Sequence, residues 1–356
     1  MTGSEGAVAA WLGEARRAGA FPLASAAVGT ADRVAVRVDE PEALDGRQRL
    51  YDLASLTKVM ATAMVALRLV DRGELRLDDT LGRFGGPDDL PPERRAVSIR
   101  QLLTHAAGFE AHAVLSDLVP PGDAPLLDRA VATILAREPA FAPGTRVVYS
   151  CLGFIVLQHV LERATGASLD RLARELVFAP LAMASTGFRP RTWDSGAFEI
   201  AATELDPATN RHVHGEVHDE NARFLGGVAG NAGLFATCDD CVRFARMLAR
   251  RGEGFLSREL FDEMVRDQTP GLDGARGLGV SVARAGVDWS AGTRLGDGAF
   301  GHTGFTGTSL YVSPARGAYA VLLTNRVYLG RDLEVMPDYR AAFHGAAVTE
   351  LEGWLA

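Results

Sequence analysis

Ser55 and Lys58 have the residue types and the spacing of a serine nucleophile with a neighbouring base. Lys58 is the only lysine of the chain, which otherwise uses arginine for its basic side chains. Arginine stays protonated at physiological pH, whereas lysine can lose its proton. Since the two residues lie three positions apart, one helical turn would place the Ser55 hydroxyl and the Lys58 amine on the same face. The spacing therefore indicates nucleophilic catalysis, and the alternative is a surface lysine beside a serine by chance.

Two later motifs extend this pattern. The triplet Tyr149–Cys151 follows a turn at Phe141–Gly144 and precedes an apolar helix, and the segment Gly301–Gly307 leads into a strand near the C-terminus. Ser-x-x-Lys, a Tyr-x-Asn-like triplet and a Lys/His-Thr-Gly triplet, in this order, resemble the penicillin-recognising serine hydrolases. The chain resembles most the class C β-lactamase-like branch, which includes esterases and D-peptidases. The segments Leu102–Phe109 and Gly226–Phe235 are similar to recurrent segments of that branch.

The resemblance implies a role for each residue of the motifs. Ser55 would attack an acyl carbonyl and carry the acyl group, while Lys58 would act as its base, for which burial would have to lower the pKa of the amine. Tyr149 would accept the proton of Ser55 and later activate the water that releases the product. The backbone N–H groups of Ser55 and Phe305 would form the oxyanion hole. The resemblance implies no cofactor and no metal.

Two positions depart from the family pattern and bear on the substrate. Cys151 replaces the usual Asn of the tyrosine triplet, and a thiol makes only weak hydrogen bonds to a substrate amide. His302 replaces the usual Lys before Thr303 and Gly304, and an unperturbed histidine is mostly neutral at neutral pH. We expect these four residues to contact a small-molecule acyl substrate. Both departures favour an ester over a β-lactam or a D-Ala-D-Ala peptide, whose carboxylate a lysine would attract.

Esterase-like hydrolysis is therefore the expected activity, and other activities remain open. β-Lactamase or D-Ala-D-Ala-type carboxypeptidase activity would use the same acyl-enzyme. Transfer of the acyl group to an acceptor other than water would use it too. A non-catalytic binding module would keep only the pocket, although the preserved Lys58 argues against such decay. The sequence does not specify the acyl group or the oligomeric state.

Composition and charge exclude several other classes of protein. The 356 residues carry a formal net charge of −8, which disfavours nucleic acid and anionic membranes as partners. No apolar stretch reaches the roughly 18 residues that a spanning helix needs, and the N-terminus lacks the apolar core of a signal peptide. The three cysteines, Cys151, Cys238 and Cys241, do not suggest a disulfide framework. Together these features predict a cytoplasmic protein.

The periodicity of apolar residues predicts how the motifs are positioned. A helix over 55–72 would place Ser55 at its N-terminus, and further helices are predicted after Ser4, over 98–104, 152–165 and 239–250, and over 338–355. Strands are predicted over 21–29, 34–38, 49–53, 278–283, 299–302, 308–312 and 319–324. We expect an α/β (α+β) fold, of the β-lactamase/transpeptidase type that the resemblance implies. Residues 1–80 and 271–356 would form an antiparallel sheet flanked by helices, and residues 81–270 a mostly helical domain, with the active site between them.

Three other motifs carry weaker signals. The Cys-x-x-Cys motif of Cys238 and Cys241 has no further metal ligands nearby in sequence and no thioredoxin-like context, so a structural role is expected. His212, His214 and His218 stand beside acidic residues, and a role in a loop near the cleft is favoured over a metal site. His105 is expected to hold a loop by hydrogen bonding.

Overall fold

The helices and strands largely follow the apolar periodicity of the sequence. The computed structural model describes residues 6–84, 90–194, 196–287, 290–331 and 336–355. Its strands are β1 (Ala24–Thr30), β2 (Val34–Glu40), β3 (Gln48–Asp52), β4 (Thr186–Phe188), β5 (Phe198–Ile200), β6 (Leu205–Asp206), β7 (Arg211–His212), β8 (Leu234–Ala236), β9 (Ser281–Val282), β10 (Phe300–Thr303), β11 (Ser309–Ser313) and β12 (Ala318–Thr324). Its α-helices are α1 (Ala7–Arg17), α2 (Met64–Asp71), α3 (Pro92–Arg95), α4 (Ile99–Leu103), α5 (Leu115–Leu118), α6 (Leu126–Leu135), α7 (Cys151–Thr165), α8 (Leu169–Ala173), α9 (Glu220–Phe224), α10 (Cys238–Ala249), α11 (Arg258–Val265) and α12 (Met336–Leu355). The π-helical segment Lys58–Ala63 precedes α2, and a second one, Arg174–Phe178, follows α8.

The larger sheet is antiparallel and is built from both ends of the chain, as predicted. Its strand order is β2-β1-β12-β11-β10-β9. β1 pairs with β12 from Ala24 opposite Thr324 to Thr30 opposite Ala318. Every residue of β12 is buried, which explains its nearly continuous apolar sequence. With helices against it, this sheet gives the chain an α+β fold of the expected class.

The two faces of the larger sheet pack against different helices. Ala318, Ala320 and Leu322 of β12 face a cluster that includes apolar residues of α1 and α12. The alternate residues Val321 and Leu323 face the main core, to which α2 and α10 contribute. Because side chains alternate along a strand, one strand serves both layers.

β3 lies outside the larger sheet, which corrects the expectation of one sheet formed by both chain ends. It belongs to a four-stranded sheet of order β4-β8-β3-β5, in which it runs parallel to β5 and antiparallel to β8. The alternation of buried and exposed residues predicts a strand but does not identify the strand that pairs with it. The sequence therefore predicted the position of β3 but not the sheet to which it belongs. Strands β4 to β8 all fall within residues 81–270, among the predicted helices. The domain limits at residues 80 and 270 stay a prediction.

The helix that carries Lys58 is buried on all sides. Every residue of Lys58–Ala63 is buried, and α2 continues this buried segment over Met64–Leu67. A helix that is apolar all round belongs in a core, which agrees with the predicted central position. Among the residues that the structure describes, no helix combines the length and the apolar character that crossing a bilayer requires.

Candidate active site

The chain reaches Ser55 through a strained turn at the end of β3. Ala54 has a φ of 47°, in the left-handed region that costs a non-glycine residue about 1–3 kcal/mol. Its N–H donates to Oδ1 of Asp52 at 2.8 Å, and its carbonyl accepts from Oγ1 of Thr57 at 2.6 Å. These two bonds hold the turn, so that Ser55 stands at the start of the buried helix, as predicted.

Lys58 lies within hydrogen-bond distance of Ser55. Its side chain is fully buried, with 0% exposure, and Nζ lies 3.1 Å from Oγ of Ser55. The same amine contacts Sγ of Cys151 at 3.4 Å and donates to the carbonyl of Asn231 at 2.9 Å. Cys151 begins α7, and Asn231 lies in the glycine-rich segment before β8. Three distant parts of the chain therefore meet at one amine.

The pKa of Lys58 is raised, so the expectation of a lowered pKa is wrong. Burial alone would lower it, but the charges of Cys151 and Tyr149 outweigh burial. Both neighbours are acids that become negative when they ionise, so they favour an ammonium beside them. They are far from Lys58 along the chain, and the Ser55–Lys58 spacing could not reveal them. The raised pKa therefore favours the protonated form of Lys58.

Tyr149 presents its half-buried ring to the same cluster. The ring centroid lies 4.9 Å from Nζ of Lys58, 4.6 Å from the ring of His105 and 5.7 Å from that of His302. His105 holds this loop as expected, because its Nδ1 accepts from the N–H of Ser150 at 3.0 Å. Burial and nearby cations lower the pKa of His105 well below its usual range, so the ring stays neutral and Nδ1 can accept.

A tight turn after β10 lies against the turn that leads to the nucleophile. A Cβ on Gly304 would come within 2.1 Å of Oγ1 of Thr308 and 2.5 Å of the Leu53 carbonyl, so this position requires glycine. Oγ1 of Thr308 donates to the Leu53 carbonyl at 3.1 Å, and Oγ1 of Thr306 donates to the Asp52 carbonyl at 2.7 Å. Two threonine hydroxyls therefore join the two turns that carry the predicted oxyanion-hole N–H groups.

His302 is a buried, neutral histidine on β10. Burial, together with the charges of Lys58, Arg276 and Arg340, lowers its pKa to about 3. Nδ1 lies 2.7 Å from the carbonyl oxygen of Thr303, which can only accept, so Nδ1 carries the proton. Nε2 is then an acceptor, and it has no hydrogen-bond partner among the described residues. The expectation of a mostly neutral histidine at this position is confirmed.

A cavity of about 480 Å³ opens beside Tyr149, His302 and Thr303. Arg276 also lines it, with the guanidinium 5.5 Å from the centre of the Tyr149 ring and Nη1 donating to Oγ of Ser281 at 2.6 Å. Within the part of the chain that the structure describes, no acidic side chain forms an ion pair with Arg276. Nothing in the local sequence distinguishes Arg276 from the many other arginines, so the sequence does not indicate it as a site residue.

The weaker motifs occupy structural positions. Cys238 and Cys241 are buried, and burial raises the pKa of Cys238 to about 12, so that it remains a thiol. Nδ1 of His212 lies 2.7 Å from a backbone carbonyl, and Nε2 of His218 contacts Glu204 at 2.9 Å. The described ranges contain no group of three or more side chains that could hold a metal ion.

Comparison with known proteins identifies the family. A family model described as Beta-lactamase matches residues 8–344. The chain belongs to the β-lactamase family. A protein of Escherichia coli K12 named "Putative D-alanyl-D-alanine carboxypeptidase" is 33% identical over 301 residues, which cover 78% of this chain and 69% of that protein.

Solved structures of other β-lactamase-like proteins share the fold. EstCE1, described as a hydrolase with promiscuous acyltransferase activity, superimposes with a TM-score of 0.72 at 21% identity, over 96% of this chain and 97% of EstCE1. The octameric penicillin-binding protein homologue from Pyrococcus abyssi gives a TM-score of 0.71 at 20% identity, over 94% of this chain and 75% of the homologue. At these identities the likeness concerns the fold alone.

Proposed function

We propose that this β-lactamase-family chain is a serine acyl hydrolase that forms an acyl-enzyme on Ser55, with small acyl esters as substrates. The observation that carries the proposal is the 3.1 Å distance between Nζ of Lys58, a fully buried residue, and Oγ of Ser55. A serine hydroxyl is a weak nucleophile unless a neighbouring group activates it. Membership in the family supports the same chemistry.

In the proposed mechanism, Tyr149 is the base and protonated Lys58 is its positively charged partner. Nζ of Lys58 lies 4.9 Å from the centre of the Tyr149 ring, so its positive charge would stabilise the negative charge that Tyr149 needs in order to accept a proton. Tyr149 takes the proton of Ser55 while Oγ attacks the acyl carbonyl, and it then gives that proton to the leaving alcohol. In the second step Tyr149 takes a proton from water, the water oxygen attacks the acyl carbonyl, and Ser55 recovers its proton as it leaves.

The oxyanion of each tetrahedral intermediate would accept hydrogen bonds from the backbone N–H groups of Ser55 and Phe305. The hydrogen bonds of Thr306 and Thr308 to the residues before Ser55 support this role, since they fix one turn against the other. Fixed donors of this kind cost no reorganisation when the charge develops, and each contributes about 10²–10³ in rate.

The neutral His302 and the thiol of Cys151 support an uncharged ester as substrate. Burial lowers the pKa of His302 to about 3, so the ring is uncharged at neutral pH and provides no cation for a carboxylate. Cys151 offers a substrate amide only a weak hydrogen-bonding group. We propose that both residues, with Thr303 and Gly304, contact the acyl substrate on the side of β10.

A carboxypeptidase that acts on D-Ala-D-Ala-type peptides is the second candidate, and Arg276 is the observation that favours it. Its guanidinium lines the cavity beside His302 and has no acidic partner among the described side chains. A peptide carboxylate bound there would provide that partner through charge-assisted hydrogen bonds. The name of the Escherichia coli relative points to the same class of substrate.

Three substrates tested side by side separate these activities: p-nitrophenyl butyrate, a chromogenic cephalosporin and an N-acylated D-Ala-D-Ala peptide. We expect the fastest turnover with the butyrate, and faster release of D-alanine would favour the carboxypeptidase. A serine-directed fluorophosphonate should give one adduct by mass spectrometry, which Ser55→Ala should abolish. Absence of both turnover and adduct in the wild type would overturn the proposal in favour of a binding module.

A further inference from the structure

The carbonyl of Gly304 accepts a hydrogen bond from an arginine beside the proposed oxyanion hole. Nη2 of Arg340 donates to it at 2.7 Å, and the N–H of Gly307 donates to it at 3.0 Å. This carbonyl belongs to the same peptide group as the N–H of Phe305. Because a peptide group is planar, a side chain that binds the carbonyl also fixes the direction of that N–H.

Among the described side chains, none is an acid that neutralises the charge of Arg340. The residue lies in α12, which packs on the larger sheet through apolar side chains, and its own side chain is half-buried. No acidic side chain of the described residues forms an ion pair with it. The titratable groups around it are uncharged, since burial lowers the pKa of His302 and His344 to about 3 and raises the pKa of Tyr311. Its positive charge therefore acts on the Gly304 carbonyl, and no described carboxylate pairs with it.

We propose that Arg340 is a positioning residue of the oxyanion hole, which orients and polarises the Phe305 N–H through the Gly304 carbonyl. The inference rests on the proposed function, because it concerns the acyl-transfer step at Ser55. A hydrogen bond from a cation is stronger than one between neutral groups, and a bond accepted by a peptide carbonyl strengthens the donor at the other end of that peptide. The gain is largest when the substrate oxygen becomes negative, so it raises kcat rather than affinity.

A second arginine holds the other side of Phe305. Nε of Arg326 donates to the Phe305 carbonyl at 3.1 Å, and its guanidinium lies 5.1 Å from the centre of the Phe305 ring. That carbonyl belongs to the following peptide group, so Arg326 fixes the residue without acting on the proposed donor peptide. Arg340 is the side chain that acts on the donor peptide itself.

Arg340→Met and Arg340→Lys test the proposal with p-nitrophenyl butyrate as substrate. We expect Arg340→Met to lower kcat about 10- to 100-fold, less than the loss of a whole oxyanion-hole donor, with KM unchanged within about twofold. Arg340→Lys should restore part of kcat, since it keeps a cation near the carbonyl. Arg294→Met is the matched control, because Arg294 is exposed and donates to a main-chain carbonyl of α12, that of Gly345, at 3.0 Å. It should match the wild type.

The carbonyl stretching frequency of a trapped acyl-enzyme supplies a readout that a merely structural role would not move. In infrared spectra, the stretching frequency of the acyl carbonyl should be higher in Arg340→Met than in the wild type, because weaker hydrogen-bond donors polarise this carbonyl less. Melting temperatures establish that the variants are folded, and Arg340→Lys carries the test alone if Arg340→Met does not fold.

Two results would overturn the inference while the proposed function stands. One is an active wild type with unchanged kcat and frequency in both variants. The other is an increase of KM confined to carboxylate-bearing peptides, which would place Arg340 in direct contact with the substrate. A wild type that forms no adduct on Ser55 overturns the proposed function itself, and the inference with it.

Discussion

Nζ of Lys58 lies 3.1 Å from Oγ of Ser55 at a position with no exposed surface. The amine also touches Sγ of Cys151 and the carbonyl of Asn231, so it serves three partners from one point. An ammonium placed in this way orients the hydroxyl and stabilises an anionic base beside it. Arginine offers the charge but not the compact shape, and this explains why the only lysine of the chain stands here.

We expect Lys58→Arg to slow the acylation of Ser55 by about 10²- to 10⁴-fold although the charge is kept. The planar guanidinium cannot reproduce three contacts made by a single buried atom. The rate of fluorophosphonate adduct formation, followed by intact-protein mass spectrometry, measures the effect. Arg246→Lys is the control, since Arg246 donates to the carbonyls of Ala31 and Asp32 away from the site. Acylation of Lys58→Arg within tenfold of the wild type would contradict the role given to the amine.

Tyr149→Phe should lower kcat for the butyrate ester by about 10²- to 10⁴-fold, because it removes the group that accepts the proton of Ser55. The ring remains, so its packing on His105 and His302 is kept and the melting temperature should change little. Tyr328→Phe is a matched control at an exposed tyrosine that stacks on His212. A Tyr149→Phe enzyme with nearly full activity would remove this residue from the mechanism.

Cys151→Asn restores the residue that the family usually has, and it should raise turnover of the cephalosporin and the D-Ala-D-Ala peptide relative to the ester. An amide both donates to and accepts from a substrate amide, and one such bond is worth about 0.5–1.5 kcal/mol, or roughly 2- to 10-fold. Cys151→Ser is the comparison, because it adds a polar group without an amide. Equal or lower relative turnover in Cys151→Asn would show that the thiol does not set substrate preference.

Arg276→Met should raise KM for the D-Ala-D-Ala peptide at least tenfold and leave KM for the butyrate ester unchanged. The expected size follows from a hydrogen bond between charged groups, worth about 1.5–3 kcal/mol. Arg146→Met is the control, since Arg146 lies close in space but is exposed and pairs with Asp273. An equal effect on both substrates would mean that Arg276 shapes the cavity and does not bind a carboxylate.

The stability of the protein should fall in acid because buried histidines stay neutral in the fold. Burial lowers the pKa of His344 from 6.5 to about 3, so between these values the unfolded chain binds a proton that the folded chain does not. The free energy of unfolding should therefore decrease as the pH falls below about 6.5, by up to about 1.4 kcal/mol per pH unit for each such histidine.

Urea unfolding at several pH values measures this dependence. His344→Gln should flatten the slope by about one proton. Ser309→Ala removes the hydroxyl that lies 3.4 Å from Nε2 of His344 but keeps the histidine, so it should keep the wild-type slope. Parallel slopes for His344→Gln and the wild type would exclude His344 as a source of acid sensitivity.

Features that depend on neighbours in sequence could be predicted. The three-residue spacing of Ser55 and Lys58 needs only the helical period, and the apolar run after it identifies a buried helix. The order of the Tyr149 and His302 motifs along the chain indicated the family and, with it, the fold class. The strand patterns near both ends of the chain indicated the larger sheet that these ends form together. The neutrality of His302 followed from the ordinary chemistry of imidazole, and burial reinforced it.

Features that depend on contacts between distant segments could not be predicted. The direction of the Lys58 pKa is set by Cys151 and Tyr149, whose charges matter only once the fold brings them to the amine. The sheet to which β3 belongs depends on its pairing with β8, where Tyr51 lies opposite Ala236, about half of the chain away in sequence. Arg276 is a candidate for binding substrate because it lines the cavity, and the local sequence does not indicate which residues line a cavity.

The pairing of β1 with β12 along its whole length has a consequence for biosynthesis. β12, which ends at Thr324, must emerge from the ribosome before β1 can pair with it in addition to β2. A nascent chain that lacks β12 therefore cannot complete the sheet that carries His302. Any polypeptide that stops short of β12 leaves one edge of β1 without a partner, and such edges recruit other chains. Messages with premature stop codons upstream of Ala318 should therefore yield aggregates and no enzyme.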